Sequence, residues 1–538
     1  MGCRGGAGGL YPQATIDVLP DNVLLETFEF YLDTDDADEF DQGHNYDGWQ
    51  TLVHVCRRWR CIVFASPRRL DLKLYCTRQR SVNSKTLDIW PGLPIVIVAK
   101  DMGSKEDVTN IIAALGHHDR VCKIYYLNEQ LQDSFLKEFA AIDEPFLTLT
   151  SLTLFSFGQN LAVFPDSFLG GYAPRLRSLL LNGIPYPSIG KLLSSTTNLV
   201  QLSLRRIPHS GYIAPKMVVP CLSMLPKLKS LSLGFQCPRS RAHRASRHPP
   251  PLTRVVFPNL TFLGFSGDIE YLEDVLSQIE TPMLSESHLC SFNQLVFDTP
   301  LLEHFIRRTE TFMTAHTANI EFSSCSVTVS LKSLRAPGEM VIYNREALRL
   351  EITCKPLDWQ LSAVAQVLNS FLSSLPILES LKIAVSREDW QGEIEAIQWR
   401  EILQPFTSVK DMTLEFEGSV RLVAPALREL AGERATEVLP ALQNLCLRTY
   451  GWQPSGPVKE AIGQFTATRP DILLTTSPTR HRSAHFSPNT AVDELPPLPE
   501  IESGWLAQQI FTHRSFTAGH RYPFQAPPGD VVNADNEE

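Results

Sequence analysis

The chain has no apolar run near the roughly 20 residues that a membrane-spanning helix needs. The longest, Leu93–Ala99 (LPIVIVA), contains Pro94 and suits a buried strand. No membrane span is expected. The opening MGCRGGAGGLYPQ carries one Arg and much Gly but lacks the apolar centre of a secretory signal. A Met-Gly start invites myristoylation, but Gly6 stands where that motif wants Ser or Thr. Cys-x-x-Cys pairs are also missing. The 11 cysteines are odd in number and scattered, which reads as reduced, mostly buried thiols of the cytoplasm or nucleus rather than a zinc or disulfide framework. Phosphate-cradling G-x-G-x-x-G and Walker loops, G-x-S-x-G and H-E-x-x-H are absent, so no cofactor, metal or intrinsic catalysis is expected in the first 490 residues.

Apolar residues make up 43% and charged residues 20% of the chain, which excludes collagen, coiled coil and wholesale disorder. At 538 residues, two to four units are expected from a usual domain length of roughly 100 to 200. The net charge of −10 is unevenly spread. Asp33–Asp47 holds seven acids and no Lys or Arg, and Ala491–Glu538 holds eight acids against Arg514 and Arg521. Without those two segments the chain stands at +3, so the acidity belongs to solvated stretches rather than to a binding face.

Two apolar helices flank the acidic insert. The first follows Leu19-Pro20, with Asp21 as its N-cap, and sets Val23, Leu24, Thr27, Phe28 and Tyr31 on one face. The second carries Trp49, Leu52, Val53, Cys56 and Trp59 as one amphipathic stripe with a basic opposite face. From Arg57 to Arg80, eight bases oppose Asp71 alone.

LPDNVLLETFEFYL (Leu19–Leu32) and LVHVCRRWRCIVFASPRRLDL (Leu52–Leu72) resemble the F-box domain, matching its L-P-x-x-[IVL]-L helix and its V-C-[RK]-x-W-R helix. The resemblance implies docking of the Skp adaptor of cullin ubiquitin ligases through Leu19, Pro20, Val23, Leu24, Phe28, Val55, Cys56 and Trp59. It departs from compact members of the family in the long acidic insert. The same apolar stripes would also serve a helical mini-domain packed on its own body.

Beyond Arg120 the sequence repeats itself. Apolar-x-x-apolar-x-apolar recurs at Val121/Ile124/Tyr126, Leu149/Leu152/Leu154, Leu176/Leu179/Leu181, Leu199/Leu202/Leu204, Leu228/Leu231/Leu233 and Leu260/Leu263/Phe265. It returns at Leu378/Leu381/Ile383, Val409/Met412/Leu414 and Leu442/Leu445/Leu447. The intervals run from 23 to 33 residues, apart from one gap of 118 that has room for about four degraded units, with strands expected at Phe292–Phe297 and Ala347–Ile352. Val364, Val367, Leu368, Phe371, Leu372 and Leu375 form one helix face ending at Pro376, and Ser104–Gly116 reads as a capped helix. Helix then strand, repeated, gives parallel strands. Since one such pair cannot bury its own apolar face, the pairs stack into a solenoid.

This region resembles leucine-rich-repeat proteins, although Ile184, Ile207 and Gln236 stand where the motif has Asn or Cys. The expected fold is α/β. It comprises an N-terminus without order (1–15), an F-box-like helical module (16–80, insert 33–47), an irregular leucine-rich-repeat solenoid of parallel strands and helices (87–450), a disordered linker (451–505) and a tail (506–538). In the tail, FTHRSF (Phe511–Phe516) and the final Asn536-Glu537 resemble the opening of a ribonuclease III domain whose later carboxylates are missing. The basic stretch Cys237–Arg254 reads as a loop rather than a nucleic-acid surface, and His117-His118 as a helix end. Together these imply a non-enzymatic substrate-recognition subunit that binds a Skp adaptor, through it cullin, and a protein target. The alternatives are a repeat scaffold outside any ligase or a fragmentary ribonuclease III-like fusion.

Overall fold

The computed structural model describes residues 16–33, 48–77, 87, 92–100, 105–128, 134–157, 163–236, 254–292, 297, 299–333, 346–354, 357–371, 378–385, 396–430, 438–449 and 452–476. The first 15 residues, nearly all of the acidic insert, the basic stretch up to 253 and everything after Thr476, ribonuclease III-like phrase included, lie outside them. The described residues fall into two compact units that meet in sequence between Leu70 and Asp71. No described helix is long and apolar enough to cross a membrane.

From Asp71 onward the fold is mixed α/β, built on a mostly parallel 16-stranded sheet that does not close into a barrel. In chain order the strands are β1 (Leu74–Thr77), β2 (Ile95–Lys100), β3 (Val121–Asn128), β4 (Ser151–Ser156), β5 (Ser178–Asn182), β6 (Gln201–Ile207), β7 (Ser230–Phe235), β8 (Val255–Val256) and β9 (Phe262–Gly267). They continue with β10 (Ile279–Glu280), β11 (Glu286–Phe292), β12 (Ala315–Phe322), β13 (Ser326–Ser333), β14 (Glu346–Thr353), β15 (Ser380–Val385), β16 (Asp411–Glu415), β17 (Asn444–Arg448) and β18 (Leu473–Thr476). Strands β8 and β10 form a separate parallel pair.

All nine apolar triplets place their second and third residues on strands. Those residues lie in register: Ile124 beside Leu152, then Leu179, Leu202, Leu231 and Leu263. Their side chains are buried. Alternation in a strand sends such residues to one face, and a buried leucine contributes about 1.5 to 3 kcal/mol. Successive parallel strands need crossovers, and right-handed crossovers along an unreversed strand order keep the helices on that same apolar face. Neighbouring units are also tied directly. Asn198 donates its side-chain amide to the Pro174 carbonyl and Asn259 to the Pro226 carbonyl, at 3.1 and 2.8 Å.

The long gap in the motif does hold four strands of the sheet, but they do not all run parallel. The spatial order is β11, β14, β13, β12, β15, with β13 antiparallel to both its neighbours. Only Ser323–Cys325 separates β12 from β13, too few residues for a crossover, so the chain reverses on itself. There Ser323 Oγ accepts the Ser326 N–H at 3.0 Å. Ala347–Ile352 falls within β14, whereas the strand expected at Phe292–Phe297 lies upstream at Glu286–Phe292. Helix Pro300–Arg308 leads into this reversal. The buried Glu273 carboxylate accepts the Leu302 N–H at 2.6 Å, placing negative charge at that helix's N-terminus, where its dipole favours it.

Both ends of the sheet pass the boundaries expected from sequence. Strand β1 lies inside the segment assigned to the helical module, since Leu74 and Cys76 bury their side chains and pair with Ile95 and Ile97. Helix Gly456–Thr468 and β18 continue the pattern into the expected linker, with β18 parallel to β17.

Candidate interaction surfaces

The amino-terminal unit holds α1 (Asp21–Asp33), α2 (Gly48–Val55) and α3 (Arg57–Ala65). The second helix expected from sequence is two helices. Cys56 has extended backbone (φ −155°, ψ 170°), and its Sγ accepts the Trp59 N–H at 3.5 Å, so Cys56 ends α2 and caps α3. Asp21 is the first helical residue rather than the cap, because the Pro20 carbonyl already accepts the N–H groups of Val23 and Leu24 at 3.1 Å. The Asp21 carboxylate instead faces Arg58. Arg58 Nη2 donates to Asp21 Oδ1 at 2.6 Å and to the Leu19 carbonyl at 2.5 Å. An exposed pair of this kind contributes little stability, at most about 1 kcal/mol. Its effect is geometric: it holds Leu19–Asp21 against the first turn of α3, three residues after Val55.

The eight residues picked by resemblance separate into three groups. Leu24 and Phe28 are core, the latter 1% exposed with its ring centroid 4.7 Å from that of Trp59. Val23, Cys56 and Trp59 are half-buried. Leu19, Pro20 and Val55 are exposed, Leu19 to 37% and Val55 to 56%. Ile16 and Val18, which the motif did not flag, are exposed beside them in sequence. Their signal was a short apolar run ahead of the Leu-Pro pair.

In the sheet unit the face opposite the leucines changes character along its length. Towards β3–β5 it is apolar, with Tyr125, Leu127, Phe155 and Leu180, and the Tyr125 and Phe155 rings lie 6.3 Å apart. Small residues follow in register, Ser203 beside Ser232 beside Gly264. From β11 onward the face carries charged groups, several of them paired with one another. His288 Nε2 lies 2.9 Å from Glu286, Arg349 lies 3.6 and 3.8 Å from Glu346 and Glu351, and Lys382 pairs with Glu415. Arg205, between these regions, was not singled out by any motif.

Among the described residues no group of three or more His, Cys, Asp or Glu is placed to hold a metal ion. Several thiols are protected. Burial pushes Cys76 up to about 12, and burial together with Glu351 pushes Cys290 to about 12, whereas Cys61 and Cys325 are exposed. At pH 8 a thiol shifted that far has on the order of a thousandth of the thiolate of an ordinary cysteine. Iodoacetamide should therefore label Cys61 and Cys325 at least tenfold faster than Cys76 or Cys290, as read by peptide mass spectrometry. Equal rates for Cys76 and Cys61 in the native chain would contradict the burial of β1.

No protein-family model and no curated protein matches the chain.

Proposed function

We propose that the chain is a substrate receptor of the F-box type. Its amino-terminal helices bind a Skp-type adaptor, a leucine-rich-repeat-like solenoid selects a protein target, and partner subunits reached through cullin transfer ubiquitin. The observation that carries this reading is the exposed apolar end of the helical unit. Leu19, Pro20 and Val55 stay in solvent while Arg58 holds the two segments that carry them together. A mini-domain that used these residues only for its own core would bury them, as it buries Leu24 and Phe28. Exposed apolar side chains grouped at one end of a small unit are the usual form of a protein-binding patch. The repeated helix–strand units and their in-register leucines support the solenoid, whose extended strand face suits a target. No catalytic residue is assigned, and the expected compartment is the cytoplasm or nucleus.

Mixing the purified chain with a Skp-type adaptor tests the proposal. A 1:1 complex by size-exclusion chromatography with light scattering is the expected result. Folded chain that elutes alone at micromolar concentrations of both would sink it and favour the repeat scaffold.

A further inference from the structure

Among the described residues Arg205 lacks a counter-charge. It lies on the half-buried sheet face, and among the described residues no carboxylate, hydrogen-bond acceptor or aromatic ring engages its guanidinium. A guanidinium stays ionised in such a setting, so none of the described residues makes good its lost hydration. Burial accordingly lowers its pKa, with no neighbouring charge opposing the shift.

The backbone is shaped to present it. Between Leu204 and Ile207 strand β6 carries one residue more than β7 has between Leu233 and Phe235, a β-bulge. Arg206 at the bulge has φ +49°, a left-handed conformation that a residue other than glycine adopts at a cost. The bulge keeps Leu204 and Ile207 in the core while turning two consecutive arginines outward; re-aiming side chains is the common use of such bulges. The two arginines then differ. Arg206 is held over the Phe157 ring at 5.2 Å, whereas Arg205 is not held.

Its neighbours are polar groups also lacking partners. Ser203, two residues back on the same face, is 3% exposed, and among the described residues its Oγ has no hydrogen-bond partner. Asn182, beside Arg205 in register on β5, has a buried Oδ1, an acceptor, likewise without a partner among the described residues. On the other side, close against Arg205 Cα, is Gly234, which has no side chain to lay over the arginine.

We infer that Arg205, with the Ser203 hydroxyl, seats a carboxylate of the bound partner protein, an Asp or Glu side chain flanked by apolar residues. The guanidinium fork matches a carboxylate in two parallel hydrogen bonds, and the hydroxyl supplies a further donor. One free guanidinium balances one carboxylate, whereas a phosphate of nearly two charges would leave excess negative charge in a half-buried site. Phe155, beside Asn182 in register, provides the apolar flank. The inference rests on the sheet face being the target surface.

The test reads Arg205 directly in the full chain and needs no adaptor. With arginine labelled with nitrogen-15, the Arg205 Nε–Hε resonance is assigned as the one lost in Arg205→Lys. It is then followed in sodium acetate, sodium chloride and inorganic phosphate at equal ionic strength. A saturable shift with acetate, at least fivefold tighter than with phosphate, is expected. In parallel, Arg205→Leu should raise the melting temperature by about 2 °C or more, because an uncompensated charge is removed. A chloride response equal to acetate, tighter binding of phosphate, or a lower melting temperature for Arg205→Leu would each overturn the carboxylate seat. None of these outcomes touches adaptor binding by α1–α3, so the two readings fail separately.

Discussion

Phe28→Ala should unfold the amino-terminal helices, while Leu19→Asp combined with Val55→Asp should leave them folded and remove adaptor binding. Phe28 is fully buried, and its truncation costs about 3 to 5 kcal/mol in transfer and cavity energy. The lost ring contact with Trp59 adds about 0.5 to 1.5 kcal/mol. A unit of only three helices has little stability to spare. Leu19 and Val55 are exposed, so charge at either costs the fold no more than about 0.5 kcal/mol. At the centre of an interface each would cost about 2 kcal/mol, or roughly 30-fold in affinity, and together more than 100-fold. Hydrogen exchange of α1 and α3 peptides in the full chain reads the first effect, and calorimetric titration with a Skp-type adaptor reads the second. Wild-type affinity in the double variant, with native exchange, would show that this end of the helices is not the adaptor surface.

The same comparison marks how far sequence carries. Pro20, Leu24 and Phe28 follow at four-residue spacing, so helical periodicity assigns them one face, and a motif that includes all three cannot separate core from surface. Burial there depends on where α3 crosses α1, which Trp59 and the Arg58 contacts set from more than 30 residues away. The break at Cys56 was hidden for a related reason. Its stripe positions fit one helix or two, and a cysteine thiol is an uncommon cap. In the sheet, by contrast, each apolar triplet specifies its own strand, because alternation is local and register follows from stacking alike units. That logic fails where Ser323–Cys325 turns the chain back, since a short polar turn changes strand direction without changing the alternation. Edge strands β1 and β18 carry only four residues each and lack the full triplet. Arg205 was illegible because its isolation is a property of β5 and β7, neither of which is its neighbour in sequence.

Gly183→Ala should be among the most damaging single-methyl additions in the sheet unit, at about 2 to 4 kcal/mol. Gly183 has φ +73°, a conformation that costs alanine about 1 kcal/mol by itself. Its new Cβ would stand 2.2 Å from the carbonyl oxygen of Ser156, a backbone atom at the end of β4 that cannot swing away as a side chain would. Gly456 provides the comparison: its φ of +55° is similar, but an added Cβ meets nothing within 4 Å, so Gly456→Ala should cost only about 1 kcal/mol. Urea unfolding of the two variants, read as midpoint shifts at constant slope, separates conformational strain from collision. Equal losses would mean that the ends of β4 and β5 part easily. The damage should also be local. Because each strand pairs only with its neighbours in the sheet, hydrogen exchange ought to rise across β4–β6 while β15–β17 stay protected. Gly183 donates its N–H to the Arg205 carbonyl at 2.9 Å, so the displacement passes directly into the β6 bulge. Acetate binding at Arg205 should therefore weaken in Gly183→Ala and persist in Gly456→Ala.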